Sequence, residues 1–322
     1  MTAYPRFADL PRPDDSGLPL AWGVWGPEDQ LGTLNHISDA TVRNAARLIE
    51  RGTRFNLDLP LHVPYGLCSP GGHRRRTEPA HTILVTKATG GMLGRDDKLD
   101  SFWLQGSSQW DGLTHIGDPR HGFYNGVQPE QITGKDGTRN GIENMAAFGI
   151  AGRAVLADFA QYCAKIGRAW QTNAQQVISA DDLDACLRDA GIAVQPGDIV
   201  LVRTGWLRDY LSADRAGRDA VTREWKFSGL SGGPDMWEWI WDRRIAALAG
   251  DVPTAEVWPL YEGKPSLHLA IPRLGLTLGE LFDLESLAED CAQDGRYACF
   301  FTSSPLNLRG GVGSPPNAIA IK

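Results

Sequence analysis

Residues 108–121 read SQWDGLTHIGDPRH. Two histidines, His115 and His121, and two acids, Asp111 and Asp118, fall within eleven positions, with glycine and proline set between them. Asp111 and His115 are four apart. On a helix, or at the end of a bent strand, that spacing aims both side chains into one cavity. Asp118 and His121 follow within six residues, and Pro119 stiffens the turn between them. Such a set suits a metal or acid–base site, because imidazole and carboxylate supply both ligands and protons near neutral pH. Spacing alone leaves the alternative open, in which the histidines only pack and hydrogen-bond.

A second His/acid pair lies far downstream. His268 precedes Glu280 by twelve residues, with Gly275 and Gly279 between them. Joined to the first stretch, this pair would give mixed N and O ligands, which suit Zn²⁺, Mn²⁺ or Fe²⁺ rather than a thiolate centre. The five cysteines, Cys68, Cys163, Cys186, Cys291 and Cys299, are scattered and form no CxxC. They read as buried or free thiols of a reducing compartment.

One motif competes. Residues 229–233, GLSGG, match G-x-S-x-G and would make Ser231 the nucleophile of a serine hydrolase. That elbow needs a buried strand before it and a helix after it. EWKF precedes it without an apolar run, while Pro234 and an aromatic segment follow, so a glycine-rich loop is the favoured reading. The closing GGVGSPP is a turn cluster with no helix after it, and the RRR at 74–76 reads as solvated loop.

Composition sets outer bounds. With 42% hydrophobic and 22% charged residues among 322, the chain has the make-up of a globular protein. A formal charge of −7 argues against a nucleic-acid partner. No apolar run approaches the roughly 18 residues that span a bilayer. The start, MTAYPRFADLPRPDD, lacks the charged-then-apolar pattern of a signal peptide, so a cytoplasmic protein is expected. Thirty-seven glycines and 20 prolines imply many turns, and 11 tryptophans imply aromatic-lined cavities or large packed faces.

Residues 1–33 look like an irregular arm. Ser38 caps a helix running to about Glu50, with Val42, Ala45 and Ile49 on one face and Gly52 as its stop. Strands are expected over 54–60, 83–87, 153–159, 245–251 and 297–302, with a buried one inside 196–206. A helix starts at Ser179 and stops at Gly191, and a short aromatic helix covers 235–241. Interleaved strands and helices point to an α/β fold built on sheets. No linker-like boundary divides the chain, which reads as one domain over 1–322 with residues 1–37 as its arm.

With these residues in view, the chain resembles the putative cyclase family, whose best-known members are bacterial kynurenine formamidases and isatin hydrolases. Those are metal-dependent hydrolases with the motif H-x-G-T-H-x-D-x-P-x-H. Laid on residues 111–121 without gaps, the motif matches Thr114, His115, Pro119 and His121. GRAVLADF at 152–159, GDIVLVRTGW at 197–206, AGDVPTAE at 249–256, the His268/Glu280 pair and the closing SSPLNL…GVGSPPNAIAI also fit. The likeness covers most of residues 54–322, and WGVWGPEDQLGTLNH at 22–36 resembles a longer branch of the family. Two positions depart: Asp111 replaces the first histidine, and Gly117 replaces an acid that can bridge two metals, with Asp118 one place late.

The resemblance implies a swivelling β/β/α fold and hydrolysis of an amide, cyclic amide or lactone by metal-activated hydroxide. It implies a divalent ion, Zn or Mn first and Fe as an alternative, on Asp111, His115, Asp118, His268 and Glu280. Charge balance favours one firmly held ion, with a weaker second as the alternative. His121 would be the acid–base residue. Gln109 and Trp110, beside the ligands, would orient or stack on a small aromatic or cyclic substrate, or else support the ligands. A homodimer or homotetramer is expected, and the arm, with Trp22 and Trp25, is a candidate for closing a neighbour's site or folding on its own subunit. A non-catalytic ligand-binding relative is the other alternative.

Overall fold

The computed structural model describes residues 4–64, 76–85, 90–261 and 263–322. Cys68, the first two arginines of the 74–76 run and the end of the strand expected over 83–87 lie outside the described residues.

The strands follow in chain order. β1 (Arg54–Asn56) is followed by a hairpin of β2 (Ala80–Val85) and β3 (Arg95–Asp100). Then come β4 (Gln109–Asp111), β5 (Ile150–Asp158), β6 (Val177–Ile178), β7 (Ile199–Arg203), β8 (Gly229–Leu230), β9 (Ala247–Gly250) and β10 (Thr277–Glu280). β11 (Ala298–Ser303), β12 (Gly313–Ser314) and β13 (Ala318–Ile321) close the chain. Among the described residues, nine strands form one sheet in the order β1-β13-β11-β5-β7-β9-β10-β4-β12. β5, β7, β9 and β10 run parallel in its centre. β7 and β9 are buried along their whole length, which explains why IVLV and ALAG read as unbroken apolar runs rather than alternating ones; Arg203, which ends β7, is paired with Asp158 and Glu285.

Helices cover this centre. Phe159–Lys165 is capped by Asp158, Ala180–Asp189 by Ser179, and Pro234–Asp242 buries Trp237 and Trp241. Asp251, at the end of β9, accepts hydrogen bonds from the Thr204 and Gly205 amides and the Thr204 hydroxyl. It thereby ties β9 to the turn after β7.

The arm is part of this core. Phe7, Leu10, Leu18, Ala21, Leu34 and Ile37 belong to the same buried cluster as the sheet. The Ala21 amide donates to the Arg273 carbonyl at 2.8 Å, the Thr33 hydroxyl to the Ala246 carbonyl at 2.8 Å, and the Trp22 indole to the Pro272 carbonyl at 2.7 Å. Within this chain the arm packs on its own subunit.

Local boundaries moved where side chains competed with backbone pairing. The first helix runs Asp39–Ala46 under a Ser38/Thr41 capping box, then tightens into turns, leaving Ile49 exposed instead of packed. The strand expected over 54–60 stops at Asn56, because the Asn56 and Asp58 groups bond to each other and turn the chain.

Candidate metal centre

β4 and β10 build the floor of the site. They pair antiparallel with Gln109 opposite Glu280, Trp110 opposite Gly279 and Asp111 opposite Leu278. Side chains alternate along a strand, so Gln109, Asp111 and Glu280 share one face and Trp110 takes the other. Gly279 makes room for that arrangement: a Cβ there would meet the Trp110 ring at 2.7 Å. Beyond Asp111 the chain turns, with the His115 amide donating to the Gly112 carbonyl at 2.9 Å. The bent strand end brings His115 Nε2 to 3.7 Å from Asp111 Oδ1.

His268 arrives from the other side, in the short helical turn Leu267–Leu269, whose first amides bond to Ser266 and Glu256. Its Nε2 lies 3.0 Å from Glu280 Oε1 and 3.7 Å from Asp111 Oδ2. One ligand atom each from Asp111, His268 and Glu280 fall within 4.8 Å of one another. Glu256 fixes the imidazole from behind, with Oε1 at 2.5 Å from His268 Nδ1. The same carboxylate accepts from the Ser266 hydroxyl and the Leu267 amide, each at 2.6 Å. That leaves His268 Nε2 to face the carboxylates, the usual way a carboxylate orients a ligand histidine.

Negative charge gathers at this cluster. Asp111 and Glu256 are essentially inaccessible to solvent and Glu280 nearly so. Burial, reinforced by the charge of Asp111, pushes the Glu280 carboxyl up to about 7. Burial pulls His268 down, but the hydrogen bonds to Glu256 and Glu280 outweigh it and hold the ring well above its ordinary value. Burial lowers His115, which favours the neutral, ligand-competent ring. Among the described residues, Asp111 Oδ2 and Gln109 Oε1 are buried acceptors without a hydrogen-bond partner. Orphaned acceptors of this kind cost free energy unless a donor or cation meets them. Mixed carboxylate and imidazole donors fit a first-row divalent ion.

Several expected residues fall elsewhere. Trp110 is fully buried against Phe282 and Phe301, and its indole donates to the Ser303 hydroxyl at 2.9 Å. It is a core residue and meets no substrate, a consequence of strand alternation. Gln109 does not line the cavity either; its amide donates to Glu280 Oε2 at 2.6 Å and to Asp111 Oδ1 at 3.1 Å, holding the two acids in place. Asp118 stands outside the cluster. Its Oδ2 pairs with Arg273 Nε at 2.6 Å and its Oδ1 accepts the Arg120 amide at 2.8 Å, so its charge is already met. His121 Nε2 lies 2.6 Å from Asp14 Oδ2, with the ring edge-on to Trp22. Asp14 also takes Arg273 at 2.6 Å, which joins arm and motif in one network. Ser231 accepts the Gly233 amide at 3.0 Å, and among the described residues no histidine bonds to it. The two-residue strand before it supplies little of a nucleophile elbow.

The cluster opens onto a cavity of about 390 Å³. His115, Glu256, His268 and Glu280 lie on one side, with Arg76, Trp225 and Trp258 also on its wall. Glu256 and the two tryptophans were not singled out from the sequence, and Arg76, read there as part of a solvated loop, lies on the cavity wall instead. Glu256 closes the AGDVPTAE stretch that carried part of the resemblance, and that stretch was its one available signal.

Comparison with known proteins agrees with the fold. The family described as putative cyclase matches residues 56–257. A crystal structure of a novel cyclase is 33% identical, with a TM-score of 0.81 over 94% of this chain and 99% of that one. Isatin hydrolase A from Labrenzia aggregata, bound to benzyl benzoate, is 14% identical, with a TM-score of 0.56 over 83% and 93% of the two chains. Isatin hydrolase A from Ralstonia solanacearum is 17% identical, with a TM-score of 0.54 over 84% and 92%. The last two likenesses are of fold. No curated protein matches the chain.

Proposed function

Because this chain belongs to the putative cyclase family and has its α/β fold, we propose that it is a metal-dependent hydrolase that opens an amide, cyclic amide or lactone. The observation that carries this reading is the buried cluster of Asp111, His268 and Glu280 with acceptor atoms that no donor meets. The isatin hydrolases of the same fold add support for a small cyclic substrate.

In this reading Asp111, His268 and Glu280 hold the ion, and His115 is the fourth donor. Zn²⁺ or Mn²⁺ suits the set best, with Fe²⁺ as the alternative. Such an ion, when bound, acidifies water toward neutral pH and polarises a carbonyl. Charge favours one ion. Asp111, Glu256 and Glu280 with Arg76 would leave two negative charges once an ion takes the place of the proton on His268, and Arg273 already answers Asp118. A second ion would meet no further free carboxylate there.

The chain's own groups do the remainder. Gln109 keeps the two carboxylates apart and aimed, and Glu256 fixes the His268 tautomer. Arg76, on the cavity wall, faces the carboxylate that hydrolysis creates. His121 is assigned the proton transfer on the motif alone: its ring is held by Asp14 through Nε2, in the network with Arg273, and it is not among the described residues that line the cavity. One domain with its arm over residues 1–37, assembled as a homodimer or homotetramer, completes the reading.

Chelator treatment should abolish hydrolysis of aryl formamides or small cyclic amides, and Mn²⁺ or Zn²⁺ should restore it. Ser231→Ala should leave it nearly unchanged. Activity that survives chelation and is lost in the Ser231 variant would overturn the assignment.

A further inference from the structure

The cavity has a wall that the metal chemistry does not need, formed by Trp225 and Trp258. Trp225 sits in the left-handed backbone region, at φ 46° and ψ 53°, as the residue that closes the helix Arg215–Glu224. Helices commonly end in that conformation with glycine, because a side chain there crowds the following carbonyl. A bulky ring at this position is a genuine outlier.

Packing explains only part of it. The ring meets Phe227 edge-on at 5.0 Å and borders the small apolar cluster around Trp206 and Phe227. The helix that Trp225 ends fully buries none of its own residues, and Val221, one turn earlier, is only half-buried against the same cluster. Its indole N–H is also buried without a hydrogen-bond partner among the described residues, whereas buried tryptophans normally satisfy that donor. A strained residue with an unmet donor, on the wall of a functional cavity, is the pattern of a position held by function rather than by stability.

We propose that Trp225 sets the specificity of this site, selecting substrates that carry an aromatic ring next to the carbonyl to be hydrolysed. The ring of the substrate would lie on Trp225 and Trp258 while its carbonyl meets the carboxylate–imidazole cluster. This rests on the metal-hydrolase reading, and the test separates the two.

The test uses the full chain loaded with Mn²⁺ and two hydroxamates that chelate metal through the same group, acetohydroxamate and benzohydroxamate. Calorimetry on the wild type should show benzohydroxamate binding at least about 10-fold more tightly, the worth of covering one ring. Trp225→Gly and Trp225→Asn both suit the left-handed backbone. They should bring the preference to within about 3-fold, with acetohydroxamate affinity and metal content unchanged. Trp225→Phe, which keeps a ring against Phe227 and guards against a folding failure, should reduce it by a smaller factor. A preference unchanged in the variants that fold, or absent from the metal-loaded wild type, overturns the proposal and leaves the metal reading intact. A wild type that takes up no metal and binds neither hydroxamate overturns both.

Discussion

Glu256 Oε1 lies 2.5 Å from His268 Nδ1, and this contact decides which nitrogen of His268 faces Asp111 and Glu280. The carboxylate is buried and takes two further hydrogen bonds, from Ser266 and Leu267, so it cannot swing away. The ligand histidine is therefore oriented before any ion arrives. Glu256→Gln keeps the shape but weakens the hold on the ring. We expect metal affinity to fall by roughly 10- to 100-fold, the usual effect of losing such a partner. An unchanged affinity would mean that the Leu267–Leu269 turn alone orients the ring.

Asp118 tests the other side of the motif. Its side chain is 3% exposed and that of Arg273 2%, so the pair is buried. Removing one member of a buried pair typically costs about 3–5 kcal/mol. Arg273 would keep Asp14 as a partner, so Asp118→Ala should lower stability to denaturant by less than that and leave metal content as it was. Loss of an ion with little loss of stability would restore Asp118 to the ligand set.

His121 and Asp14 form a second testable pair. His121→Ala should retain metal and lower kcat by roughly 10²–10⁴, the range for a positioned acid–base group. Asp14→Ala should shift the pH–rate profile, since Asp14 acts on the reaction only through the ring it holds. If the thermal midpoint falls in both variants while kcat and the pH profile hold, the pair serves only to fasten the arm.

Part of this site was legible in the sequence, for identifiable reasons. The ligand candidates Asp111, His115, His268 and Glu280 were readable because imidazoles and acids clustered in Gly- and Pro-bounded stretches rarely occur without purpose. The central strands were readable because parallel strands buried on both faces are apolar along most of their length, as IVLV at 199–202 is. Trp110 was misplaced because proximity in sequence says nothing about side until the strand is known; one residue's shift turns a side chain to the opposite face. Asp118 was misplaced because its partner, Arg273, is 155 positions away. Trp225 could not be found at all. Its conformation contradicts its residue type, and no local preference encodes that.

The arm carries a pH dependence. His36 sits among Tyr4, Trp25 and Trp241, with Nε2 3.1 Å from the Tyr4 hydroxyl. Burial, helped by the charge of Arg244, lowers its pKa from 6.5 to about 4. The unfolded chain therefore binds the proton first. The stability that His36 contributes is complete above about pH 6.5 and is lost as pH falls toward 4. Asp58, Asp198 and Asp251, each raised by burial to about 6, act in the opposite sense in the same window. The comparison must therefore be made against His36→Phe, which keeps those acids. Between pH 6.5 and 4 the wild type should lose stability relative to the variant, and a constant difference would show that His36 titrates normally.

The central claim is that Asp111, His268 and Glu280 hold a divalent ion. It is tested most directly by elemental analysis of the purified chain beside its His268→Ala and Glu280→Gln variants, each dialysed against the same Mn²⁺ or Zn²⁺ buffer. The account predicts one ion per wild-type chain and a strong loss in both variants, because each removes one of about four protein ligands. Wild-type chains that take up no ion, or variants that keep the full complement, would contradict it.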